Sequence, residues 1–418
     1  MESIRKVSIK MRKYGRLIIL SIVSVFILVF SIRLMKELGF GRSVIPDQTG
    51  TPSPIRSDLP DPSGTTDPPR STEPSGSPEP TDPSGSRAKE ILASMSLEEK
   101  VGQMFIVRCP QEDVPEKIRQ YHMGGLILFA KDFRDKSKAQ KTEEIRSYQE
   151  VSGIPLLIGV DEEGGDVNRV SLFPQYRAYP FKSPQDLYAE GGFDLIESDT
   201  VEKAKLLKSL GINLNIAPVC DVSTDSSDYI YSRTFGKNAE ETAKYVEKVV
   251  SVMVKEKIGC VLKHFPGYGG NKDTHAGIAY DYRSYETFIN SDFIPFKAGI
   301  EAGAGAVMVS HNIVSSMDSQ YPASLSPEVH RILREELGFN GVIMTDDLYM
   351  NAIKDFTGVN EASVLAVLAG NDLICCTDFE QQIPAVMEAV KNGQITEERI
   401  DSSVLRILEW KLSLGIIS

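Results

Sequence analysis

The chain has 418 residues, 41% of them hydrophobic, with five cysteines and a single tryptophan. That length and apolar share support one large domain or two ordinary ones, and exclude both wholesale disorder and a disulfide-held scaffold. The net charge of −12 is uneven: residues 1–45 carry +7, residues 46–87 carry −4, and residues 88–418 carry the remaining −15. A body so acidic repels phosphate backbones, so nucleic acid is not an expected partner.

Six basic residues (Arg5, Lys6, Lys10, Arg12, Lys13 and Arg16) precede an uncharged run at 17–32. With its flanks the run reaches about 20 residues, enough to cross a bilayer core. A cleaved signal peptide is the alternative, but Arg33-Leu34-Met35-Lys36 stands where small residues should sit. The expectation for 1–45 is therefore a cytoplasmic basic segment plus a retained signal anchor, single-pass, with the rest outside the cell and facing its wall. Residues 46–87 hold 11 of the 23 prolines among Ser, Thr, Gly and Asp. Such a segment cannot bury enough surface to offset its ordering entropy and reads as a disordered stalk.

From residue 88 to 418 short apolar runs alternate with longer amphipathic ones. Strands are predicted at 103–108, 124–130, 155–161, 213–219, 260–264, 305–311, 341–346 and 371–376. Helical patterns lie between them, for example at 138–150, at 239–257 and at 327–337 after a Ser326 cap. Near-continuous apolar strands, each followed by a helix, imply a parallel sheet covered on its outer face. Eight such units predict an α/β fold, a (β/α)₈ TIM-type barrel, with no second globular domain. An open doubly wound sheet is the alternative, but no glycine-rich phosphate loop follows the first strand. Cys109, Cys220, Cys260, Cys375 and Cys376 are odd in number and mostly lie in apolar runs, so buried free thiols are expected.

Asp161, Lys263-His264, His311 and Asp346 fall at the carboxyl tips of predicted strands, which in a barrel share one rim. The segment 263–275, KHFPGYGGNKDTH, ends a strand in Lys-His and continues through a glycine-rich loop to Asp273-Thr274-His275. A carboxylate two residues from an imidazole can hold one tautomer and raise its pKa, as a proton donor near neutrality requires. A flexible loop with an exposed histidine is the alternative. In 341–350, GVIMTDDLYM, Asp346 can serve as a nucleophile and Asp347 as its hydrogen-bonded neighbour; a helix-capping aspartate is the plainer reading. Arg169 in GVDEEGGDVNR is placed to pair with Asp161, and Arg233 sits in the loop SRTFG. His311 also reads as a barrel-core residue bonded to its neighbours, and His122 and His330 as surface residues. The histidines lack metal-ligand spacing, so no metal and no cofactor are expected.

Taken together these segments resemble glycoside hydrolase family 3, and within it the single-domain β-N-acetylhexosaminidases. The likeness spans about residues 90–418 and includes MSLEEKVGQMF, GVDEEGG, LNIAPVCDV, SRTFG, KHFPGYG, DTH, PASLSP, LGFNGVIMTDDL and ITEERIDSSVLRIL. The resemblance implies a retaining, two-step exo-β-N-acetylglucosaminidase in which Asp346 attacks the anomeric carbon and His275, oriented by Asp273, acts as acid and base. It also implies that Asp161, Arg169, Arg233, Lys263 and His264 bind the sugar, the basic residues and His264 as hydrogen-bond donors. Relatives usually read PGHG where this chain has Tyr268, and their loop is one residue longer, so Tyr268 is expected to be structural or to face the aglycone. The expected substrates are terminal GlcNAc residues of peptidoglycan fragments or related β-glycosides, acted on by a monomer. Alternatives on the same barrel are β-glucosidase, β-xylosidase or GlcNAc phosphorylase activity, and an inactive barrel that binds wall glycan.

Overall fold

A computed structural model describes residues 83–271, 277–357 and 361–418. The expected anchor, nearly all of the expected stalk, Asp273 and His275 lie outside the described residues. Among the described residues no helix is long and apolar enough to cross a membrane.

Eight parallel strands form the core: β1 (Phe105–Arg108), β2 (Gly125–Leu128), β3 (Leu157–Val160), β4 (Leu214–Asn215), β5 (Gly259–Phe265), β6 (Ala306–Val309), β7 (Val342–Thr345) and β8 (Ile374–Cys376). Neighbours in sequence pair with one another, and β8 returns to β1 in the register Phe105↔Ile374. A single bridge, Met344↔Leu373, links β7 to the approach of β8 and nearly closes the barrel. All eight predicted strands are present, seven with trimmed ends and β5 one residue longer at each end than the predicted 260–264. The deepest trimming is at 213–219, because Pro218 has no N–H to donate and the Asn215 side chain bonds instead to the peptide N–H and C=O of Glu162 at 3.0 and 3.1 Å.

Helices cover the outer face, as the alternating pattern requires: α1 (Pro83–Ser94), α2 (Leu97–Gln103), α3 (Val114–Tyr121), α4 (Lys138–Val151), α5 (Pro184–Lys208), α6 (Ala239–Lys255), α7 (Phe293–Glu301), α8 (Pro327–Arg331), α9 (Ala362–Ala369), α10 (Phe379–Lys391) and α11 (Glu397–Ser413). The predicted Ser326 cap is formed, and Ser137 and Asn238 cap two further helices. Ser137 and Asn238 accept the N–H of Gln140 and Glu241, and Ser326 accepts that of Val329. The predicted helix 327–337 begins as α8 and widens through a π-helical turn at Ile332–Glu336.

Two expectations change. Helix α1 crosses the expected stalk–body border at 87/88, and Ala88 is fully buried in the core, so the ordered body already includes Pro83. His330 is buried rather than on the surface: its Nδ1–H donates to the Ser326 carbonyl at 2.8 Å, and burial holds its pKa below the usual histidine value. His122 is half-buried. The five thiols are free and buried, with burial raising Cys109 to about 12 and Cys260 to about 11.

Candidate active site

The carboxyl tips of the strands surround a cavity of about 490 Å³, within the range of ligand-sized clefts. Its lining includes Asp161, Arg169, Arg233, Lys263, His264 and Asp346, so every described residue assigned a role by the sequence reading meets in one place. Arg108, Phe129, Glu163, Tyr229, Tyr268, Asp347 and Tyr349 line it as well, over a floor that includes Ile127, Ile216, Met308 and Cys375.

The segment after β3 supplies three carboxylates with three tasks. Asp161 faces the cavity. Glu162 is fully buried and points the other way, accepting the N–H groups of Arg169, Val170 and Ser171 at 2.7, 2.8 and 3.0 Å and the Ser171 hydroxyl. That cap fixes the loop from which Arg169 reaches the rim. Glu163, also buried, accepts Arg233 Nε and Nη2 at 3.0 and 2.8 Å in a two-point pair, and Lys263 Nζ at 2.6 Å. Burial would raise Glu163, but the Lys263 and Arg233 charges win and hold it far below the ordinary glutamate range.

Lys263 is enclosed, with Nζ 2.8 Å from Asp161 Oδ1 on its other side. Burial opposes its charge, yet Asp161 and Glu163 together keep its pKa above the ordinary lysine value. The expected Asp161–Arg169 pair is correspondingly loose: Arg169 Nη2 is 4.0 Å from Asp161 Oδ2, because Lys263 already occupies the carboxylate. Arg169 remains 26% exposed at the cavity wall.

His264 is held from behind by a buried carboxylate. Its Nδ1–H donates to Asp221 Oδ2 at 2.8 Å, which in the neutral ring leaves Nε2 as an acceptor, 3.3 Å from Arg233 Nη2. Asp221 is wholly buried and also takes the N–H groups of His264 (3.1 Å) and Tyr268 (2.7 Å). Tyr268 is buried at the cavity edge with its ring against that of His264, centroids 5.2 Å apart, a structural part combined with a place on the cavity wall.

Asp346 follows β7, its N–H held by the Val309 carbonyl at 3.1 Å and its Oδ1 accepting the Asp347 N–H at 2.8 Å. Asp347 turns away to accept Thr377 Oγ1 at 2.6 Å and the Tyr349 N–H at 3.0 Å. The plainer reading of His311 holds: fully buried, it bonds Ser324 Oγ at 2.7 Å and the Asp347 carbonyl at 3.1 Å, which stiffens the turn carrying Asp346.

Glu163 and Asp221 escaped the sequence reading. Both lie inside motifs it singled out, GVDEEGG and LNIAPVCDV, but nothing in a local pattern says which carboxylate of a run turns inward toward partners 43 to 100 residues away. No group of three or more His, Cys, Asp or Glu able to hold a metal occurs among the described residues.

Residues 96–410 match the glycosyl hydrolase family 3 N-terminal domain. A β-hexosaminidase of Nitrosomonas eutropha is 32% identical over 262 residues, covering 61% of this chain and 74% of the relative. A β-N-acetylglucosaminidase/β-glucosidase of Cellulomonas fimi is 28% identical over 350 residues, covering 78% of this chain and 59% of the relative. Among solved structures, a glycoside hydrolase family 3 β-N-acetylglucosaminidase of a Paenibacillus species superimposes with a TM-score of 0.72 at 32% identity, over 77% of this chain and 63% of that one. The chain thus spans under two thirds of the Cellulomonas and Paenibacillus proteins.

Proposed function

The chain belongs to glycosyl hydrolase family 3 as a glycoside hydrolase of the β-N-acetylhexosaminidase type, and from that premise we propose that it removes terminal β-linked GlcNAc with retention of configuration. The observation that carries this reading is the convergence of Asp346 with Asp161, Arg169, Arg233, Lys263 and His264 around one cavity. The Asp346 carboxylate attacks the anomeric carbon as the glycosidic C–O bond breaks, and the departing oxygen takes a proton from His275. Water then attacks the glycosyl–Asp346 ester, gives its proton to His275, and frees the carboxylate and the sugar. Arg233 and Lys263 present N–H groups whose positions are set by Glu163, and Asp161 accepts from sugar hydroxyls. An imidazole is neutral once it has given up its proton, which suits it to admit water or a charged acceptor to the same face.

The roles of His275 and Asp273 rest on the Asp-x-His spacing. The basic segment and apolar run of residues 1–45 and the proline-rich stretch after them, read as an anchor and stalk, support a placement outside the cell beside its wall, and hence peptidoglycan fragments as substrates. Turnover of an aryl β-GlcNAc glycoside, compared with the glucose and xylose analogues and with added phosphate, tests the assignment. GlcNAc release with retained anomeric configuration is the expected result. Asp346→Asn should lower that rate by at least about 10³-fold, equivalent to about 4 kcal/mol. Preference for glucoside or xyloside, phosphate-dependent release, or glycan binding without turnover would each replace this reading.

A further inference from the structure

Beside the cavity, outside the residues given roles above, a guanidinium joins two buried carboxylates. Arg283 Nε lies 3.1 and 2.9 Å from the oxygens of Asp281, and Nη1 lies 3.0 Å from each oxygen of Asp292. Both aspartates are 1% exposed, and Arg283 stacks over the Phe288 ring at 4.3 Å. A buried triad of this kind is a poor stabiliser, since desolvation offsets much of the attraction and apolar side chains of similar volume would serve as well.

The cluster does something an apolar plug could not: it holds the chain on both sides of residues 272–276. On the entry side, Arg283 Nη2 donates to the Gly267 carbonyl at 3.1 Å, and Asn271 Nδ2 donates to Asp281 Oδ2 at 2.8 Å. Gly267 and Gly269 have φ of +122° and +53°, and a Cβ on them would come within 2.2 Å of Asp292 Oδ1 and 2.5 Å of Arg283 Cζ. On the exit side, Asp281 pairs with Val314 in a short parallel ladder, and its Oδ1 takes the Arg283 N–H at 2.9 Å. The Gly267 N–H in turn donates to the His264 carbonyl at 2.8 Å, tying the cluster to the sugar-binding strand.

We propose that Arg283, with Asp281 and Asp292, is a positioning device that sets both ends of the His275-bearing segment against the sugar-binding rim. The proposal rests on the acid/base reading of His275 above. Arg283 touches no reacting atom in this scheme; it acts through the segment it anchors.

Leaving-group dependence tests it, because a departing dinitrophenolate needs no proton whereas an alkoxide does. For Arg283→Lys and Asn271→Ala, kcat/KM should fall about tenfold or more on an alkyl β-GlcNAc glycoside. On the 2,4-dinitrophenyl glycoside it should fall less than about threefold, and inhibition by free GlcNAc should stay within about twofold of the parent. Equal losses on both glycosides, or none, would overturn the positioning role. His275→Ala separates the two claims. If it shows the leaving-group dependence and both anchor variants do not, the acid/base reading stands and the anchor fails; if it shows none, both fall. Should Arg283→Lys not fold, Asn271→Ala, which severs one of the two entry-side ties and leaves the buried triad intact, decides.

Discussion

The two ends of the barrel bury comparable networks of charge and use them differently. At the amino end of the strands, Asp372 is fully buried and accepts Ser403 Oγ at 2.6 Å, the Ile343 N–H at 3.0 Å, Arg406 Nη1 at 3.1 Å and Arg334. Arg399 donates to the Asn371 carbonyl nearby at 2.7 Å, and Lys411 Nζ reaches Gln103 Oε1 and the Pro155 carbonyl at 2.8 and 2.7 Å. Helix α11, which carries Arg399, Ser403, Arg406 and Lys411, roofs this end. At the carboxyl end the Glu163–Lys263–Arg233–His264–Asp221 chain is as tightly bonded, but its outer members face a cavity. Burial of charge therefore does not mark function by itself. What distinguishes the working end is that Asp161, Arg169, Arg233 and Asp346 open together into one ligand-sized cavity.

Substitutions at matched positions should pull the two ends apart. The largest effect is expected from Asp372→Ala, which removes the buried carboxylate shared by Arg334, Arg406, Ser403 and the Ile343 N–H and should cost about 3–5 kcal/mol in denaturant unfolding while leaving KM and kcat unchanged where the protein is folded. Equal damage to catalysis at permissive temperature would break the contrast. Glu163→Gln should cost both stability and rate, with kcat/KM on a GlcNAc glycoside falling about 100-fold as Lys263 and Arg233 lose their alignment. Because the Glu163 pKa is depressed in the fold, its contribution is present above the ordinary glutamate value and is lost as pH falls below it. The parent should therefore lose more stability on acidification than Glu163→Gln does.

Lys411 gives a subtler distinction. Burial among neutral oxygens lowers it to about 7, against 10.5 for an ordinary lysine. Between those values the unfolded chain binds the extra proton, so stability should rise with pH, and below about 7 the slope should vanish. Unfolding titrations of Lys411→Met should lack that rise, with turnover unaltered. The smallest effect is expected at the working end. Arg169→Gln should raise KM by about tenfold, since the guanidinium has only loose protein contacts, Asp161 at 4.0 Å and the Phe129 ring at 5.7 Å, and should shift stability by less than about 0.5 kcal/mol.

Strand and helix order were legible because parallel strands buried on both faces read as apolar runs, as at 155–161 and 341–346, and helix starts carry their own caps. The rim residues were legible for a related reason. A charge directly after such a run, like Asp161 or Asp346, has nowhere to go but the strand's tip. The sequence could not show that Lys263 takes Asp161 away from Arg169, or that Asp221 engages the Nδ1 side of His264. Nor could it show that Arg283 binds both sides of the loop, or that His330 is buried. Each of those outcomes depends on which partner, tens of residues distant, comes within about 3 Å once the barrel closes. Hydrogen bonds and ion pairs are decided at that range, whereas apolar periodicity is decided locally.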